Sequence, residues 1–127
     1  MWRRNMDRSY RLKMEDRLND GILTVGIIAS CIAKNESKIN KLAYEIKRYS
    51  NYNNNTFVEE DRQLKLDELI AYRQPFIDVL MKRCHMSLDE VKNAVNNVKE
   101  KNIPTKAVCD RVRDMILSDK YWLDGCR

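Results

Sequence analysis

A chain of 127 residues, 43% hydrophobic and 34% charged, is long enough to bury one core and too rich in hydrophobic residues for a disordered tail. Three Gly and two Pro are too few for a protein of many sheet reversals, so the composition predicts an all-α fold of about six helices, with no strand. The net charge of +5 is unevenly placed: residues 1–55 carry eleven Lys and Arg against six Asp and Glu, whereas the remainder carries thirteen of each sign. An excess confined to one part suits a surface that meets phosphate or an acidic protein, and it also suits a plain solvated face.

The four cysteines, Cys31, Cys84, Cys109 and Cys126, show no paired metal-ligand spacing, and the longest apolar run, 22–33, falls short of the ~20 residues that span a membrane. With a charged N-terminal stretch and no leader pattern, the reading expects an intracellular protein with reduced, free thiols. Abundant Asn, Ile and Lys suit an A/T-rich coding sequence, as in many viruses, phages and low-GC bacteria.

Residues 1–19 predict a helix whose stripe, Trp2, Met6, Tyr10, Met14 and Leu18, recurs about every four residues; Arg3 and Arg4 lead it as a basic arm. Asn19-Asp20-Gly21 signals a turn. Across 23–48 two amphipathic segments are expected to meet at 33–35. Ile28, Ala29 and Ile32 line one, and Ile39, Leu42, Ala43 and Ile46 line the other at helical spacing. With Thr24 as cap, Ala29 as the small inner residue, Ala33 at the turn, and Ile39 and Leu42 as anchors, this stretch resembles a helix-turn-helix. Two core helices with a solvated basic face would share that pattern. The resemblance implies a recognition helix whose Lys34, Asn35, Ser37, Lys38, Asn40 and Lys41 meet bases and phosphates, with Lys47 and Arg48 further along and Arg3 and Arg4 reaching a groove. Val25 and Ile27 are apolar where such a helix should be polar, so they pack against the rest of the chain or against a partner.

A polar loop follows at 49–55, giving a possible joint at 50–56 within a single domain, between the basic helix-turn-helix-like part and a charge-balanced helical part. Thr56-Phe57-Val58-Glu59 and Ser87-Leu88-Asp89-Glu90 both have the capping-box pattern. The first opens a helix expected to break or kink at Gln74-Pro75, with another from Phe76 to about Cys84. The second opens a helix to about Lys101, whose seam of Leu88, Val91, Val95 and Val98 pairs within the subunit or across a homodimer. A last helix is expected from Lys106 to about Ser118, burying Val108, Val112, Met115 and Ile116, and Tyr121-Trp122-Leu123 either covers the core or anchors a partner.

No Gly-rich phosphate loop is present. The one histidine, His85, adjoins Cys84 on a helical stretch where neighbours point apart, so the reading is of no enzyme, no metal and no cofactor. The leading expectation is a small DNA-binding protein, in the manner of a transcriptional regulator, acting as a homodimer. The alternative is a non-enzymatic helical interaction protein, for example a viral or phage factor that modulates a host protein, with Val25, Ile27, Trp2 and Trp122 as contact residues.

Overall fold

Six consecutive residues of one helix, Ile27, Ile28, Ala29, Ser30, Cys31 and Ile32, are buried. A helix that is apolar on every face can be stable only at the centre of a packed structure. In the computed structural model, which describes residues 2–50 and 56–125 and the side-chain surroundings of 11–48 and 60–125, that central helix is α2 (Val25–Ser50). It follows α1 (Trp2–Asn19) and a short strand, β1 (Ile22–Thr24). After it come α3 (Thr56–Lys82), α4 (Leu88–Asn96), a 3-10 turn (Glu100–Asn102), α5 (Lys106–Leu117) and β2 (Trp122–Asp124). The fold is thus mainly α, with five α-helices among the described residues.

Two expected breaks are absent. α2 continues through Ala33, Lys34 and Asn35, so the turn of the helix-turn-helix reading does not form. Ala33 and Lys34 are strong helix formers, nothing nearby demands a positive φ, and the buried first half of the helix holds the second half in line. α3 likewise runs through Pro75. The proline removes the donor for the carbonyl one turn earlier, and beside that point Arg113 Nε donates to the Tyr72 carbonyl oxygen at 3.3 Å.

Local signals elsewhere are realised. Thr24 Oγ1 accepts from the Ile27 amide at 3.1 Å, which caps α2. Ser87 and Glu90 form both hydrogen bonds of the capping box that opens α4. That helix ends at Asn96, earlier than expected, and the capping pattern at Thr56 lies outside the residues whose side chains are described. So does most of the 50–56 joint.

The strands were not foreseen. β1 and β2 pair in parallel, Ile22 opposite Trp122, Leu23 opposite Leu123 and Thr24 opposite Asp124. Each is only three residues long and carries no alternation that a sequence reading could use.

The core gathers Met14 and Leu18 from α1, Leu23 from β1, Ile27, Ile28, Ala29, Cys31 and Ile32 from α2, Phe76, Val79 and Leu80 from α3, Cys84 after it, Val91 and Val95 from α4, and Cys109 and Val112 from α5. The α4 seam is therefore used inside the subunit at Val91 and Val95, while Leu88 is exposed. Ile70, expected inward, is also exposed. α3 ends before His85, an exposed residue at φ 54, a left-handed conformation that stops a helix. The expectation of free thiols holds for Cys31 and Cys109 but is corrected at Cys84, which is disulfide-bonded. Among the described residues no helix is long and apolar enough to cross a membrane.

Candidate functional site

α2 and α3 run antiparallel: Glu36 Oε1 meets Arg73 Nη1 at 3.4 Å, and further along Leu42 and Leu69 share one cavity wall. α5 closes the third side. The cavity between them holds about 360 Å³, within the size range of ligand pockets. Each helix contributes residues at helical spacing: Cys31, Lys34, Asn35, Lys38 and Leu42 from α2, Lys65, Glu68, Leu69 and Tyr72 from α3, and Lys106 and Cys109 from α5.

The charges around the opening are not equivalent. Lys65 pairs with Asp61 at 3.3 Å, and Lys106 with Asp110 at 3.0 Å, so both are partly neutralised. Lys34 and Lys38 are half-buried on α2 and make no ion pair among the described residues. Lys38 acts on Asp110 through space and Glu68 lines the same cavity, but neither lysine has a carboxylate within ion-pair distance among the described residues, so both favour an anion beside them.

One wall is fixed by a polar relay. The Tyr72 hydroxyl donates to Asp110 Oδ1 at 2.6 Å, Lys106 holds the other carboxylate oxygen, and the Arg113 guanidinium lies 4.9 Å from the Tyr72 ring centroid. Hydrogen bonds from Tyr72 and then Lys106 hold the Asp110 carboxyl below its ordinary range. Burial, and then the bond to Asp110, push the Tyr72 hydroxyl above its own.

Beneath the pocket wall, Asn35 is 3% exposed and its enclosed Oδ1 has no hydrogen-bond partner among the described residues. A buried amide oxygen left unpaired is costly, so a ligand N–H or O–H that displaces the wall over it would be favoured. Beside it lie the two free thiols. Their side-chain contact, followed by burial, pushes the Cys31 thiol up. The same contact holds Cys109 down, against burial and with the charges of Lys34 and Lys38 adding to the effect.

The residues proposed for DNA contact divide between two surfaces. Lys34, Asn35 and Lys38 turn toward the pocket, and Asn35 is buried, so it cannot reach a base edge. Ser37, Asn40, Lys41, Lys47 and Arg48 are exposed on the outer flank of α2. The side chains of Trp2, Arg3 and Arg4 lie outside the described residues. Ile27 is in the core and Val25, partly buried, packs against it, so of the two alternatives both pack against the rest of the chain and they do not form an exposed contact patch. Trp122 is 72% exposed.

Comparison with protein-family models, with curated proteins and with solved structures gives no match. The reading of the site therefore rests on its own chemistry.

Sequence reasoning missed Tyr72, Lys65, Lys106, Asp110 and the contact between Cys31 and Cys109. The thiols are far apart in the chain and their meeting depends on how α5 packs across α2. Lys106 and Cys109, three apart on one helix, were the only local trace. Among the described residues no group of three or more His, Cys, Asp and Glu is placed to hold a metal ion.

Proposed function

We propose that this protein is a non-enzymatic helical interaction protein that takes an acidic segment of a partner polypeptide into the pocket between α2, α3 and α5. The observation that carries the reading is the combination of unpaired, half-buried Lys34 and Lys38 with the unsatisfied Asn35 oxygen, above a wall that includes Leu42 and Leu69. Three complementary groups are called for: a carboxylate for the lysines, a hydrogen-bond donor for Asn35, and an apolar group for the leucines. A peptide carrying Asp or Glu beside an apolar residue has all three, its backbone N–H being the donor. A fatty acid lacks the donor, and a nucleic-acid backbone lacks the apolar group.

The test is a binding titration with a pool of labelled peptides rich in Asp, Glu and Leu, set against the same pool with Asn and Gln in place of the acids. Binding that favours the acidic pool and falls about tenfold in Lys34→Ala/Lys38→Ala supports the reading, since two charge-assisted contacts are worth that much. Equal binding of the two pools would sink it.

A second reading keeps nucleic acid as the partner. It is favoured by the exposed row Ser37, Asn40, Lys41, Lys47 and Arg48 on the outer flank of α2, a surface that phosphates could follow. In this form it is salt-sensitive backbone contact without base reading by Asn35. Fluorescence anisotropy with mixed duplex DNA at low and physiological salt separates the two: no binding at low salt removes this reading.

A further inference from the structure

Buried cysteines usually act as small inert hydrophobes. Cys31 and Cys109 differ in three respects: their side chains meet across α2 and α5, both line the cavity wall while 0% and 2% exposed, and Lys34 and Lys38 stand beside them. Neither is disulfide-bonded. We propose that Cys31 and Cys109 form a thiol–disulfide exchange pair that reacts with a low-molecular-weight disulfide entering the pocket and closes to a Cys31–Cys109 disulfide.

The surroundings assign the roles. Lys34 and Lys38 share the cavity wall with Cys109 and their charge favours its thiolate, so Cys109 attacks first, and Cys31, fully buried behind it, is the resolving thiol. The Cys109 electron pair forms a bond to one sulfur of the incoming disulfide, RSSR, while the S–S bond of RSSR breaks and RS⁻ leaves. That thiolate takes the proton of Cys31. The Cys31 sulfur then attacks Cys109 Sγ in the mixed disulfide, forming the intramolecular bond and expelling the second RS⁻, which takes a proton from solvent. The two cysteines lose two electrons in all, and RSSR is reduced to two RSH. Glutathione disulfide suits the site because its carboxylates are attracted by Lys34 and Lys38. The inference does not depend on whether the pocket also holds a peptide.

The test equilibrates the intact protein in a series of reduced and oxidised glutathione mixtures, quenches with acid, alkylates the free thiols and maps peptides by mass spectrometry. The expected result is that Cys31 and Cys109 lose alkylation together, in one two-electron transition, with a cross-linked peptide that joins them. Peptide mapping keeps this signal separate from that of Cys84, which is disulfide-bonded in the structure. In Cys31→Ala the reaction should stop at a glutathione adduct on Cys109. Retention of both thiols at the oxidising end, or a stable glutathione adduct on wild-type Cys109, would overturn the pair. The wild-type measurement decides even if the variant does not fold.

Discussion

The two halves of the α2–α3 pair are both helical and have different surroundings. At one end, 27–32 of α2 and Phe76, Val79 and Leu80 of α3 are enclosed by α1, α4 and α5. At the other, Ile39, Leu42, Ile46, Leu66 and Leu69 are only half-buried, and Tyr44, Leu64 and Ile70 are exposed. Two helices alone cannot cover each other's apolar faces. The comparison shows that burial here is set by the third layer of helices and not by the amphipathic pattern of the pair, and the pocket lies where that third layer runs out.

The largest effect that sharpens this contrast is expected from Phe76→Ala. Phe76 is fully buried and packs 5.7 Å, centroid to centroid, from Tyr72. Its loss should cost ~3–5 kcal/mol in a urea unfolding titration. Leu69→Ala, in the open half, should cost only about 1 kcal/mol, roughly half the transfer energy of a fully buried leucine. If the two costs were equal, the open half would be as well packed as the closed one. Ser87→Ala removes one arm of the α4 capping box and should also cost about 1 kcal/mol, independent of the α2–α3 pair. Amide exchange should follow the same order without any substitution, with 39–48 and 60–70 exchanging well before 27–35 and 76–80.

A smaller effect concerns the wall of the pocket. Asp110 is held below its ordinary range, so its contribution to stability is present above the unfolded value near ~3.9 and is lost as pH falls through the folded value. Tyr72 is pushed up, so its contribution is present below the unfolded value near ~10 and is lost as pH rises through the folded one. The pair therefore acts fully between about pH 4 and pH 10. Asp110→Asn should flatten the acid limb of a stability profile, and an unchanged limb would deny the carboxylate that role. Smallest of all, breaking the exposed Lys65–Asp61 pair with Asp61→Asn should change stability by less than ~0.5 kcal/mol.

How far the chain could be read depended on whether the deciding interaction was local. The helix starts at Thr24 and Ser87 were legible because a cap and its amide lie within three residues of each other. The excess apolarity of 25–32 was also visible, and its cause is the central position of α2. The breaks at 33–35 and at Pro75 were misread because packing along the rest of each helix overrode a local preference. Lys34, Asn35 and Lys38 were read as part of one DNA-contacting row with Ser37, Asn40 and Lys41, but the direction each faces depends on α3 and α5, which spacing on one helix cannot supply.

The parallel pairing of β1 with β2 has a kinetic consequence. Its partners are about one hundred residues apart, and two strands of three residues have no stability of their own. Closing so long a loop is entropically unfavourable until the intervening helices have already brought the ends together. The bond from the Trp122 amide to the Gly21 carbonyl oxygen, at 2.7 Å, should therefore be among the last to gain protection in a pulse-labelled refolding experiment. Protection of Trp122 in the same phase as the amides of α2 would show instead that the strands assemble with the core. If it comes last, this amide times the completion of the whole fold from a single position.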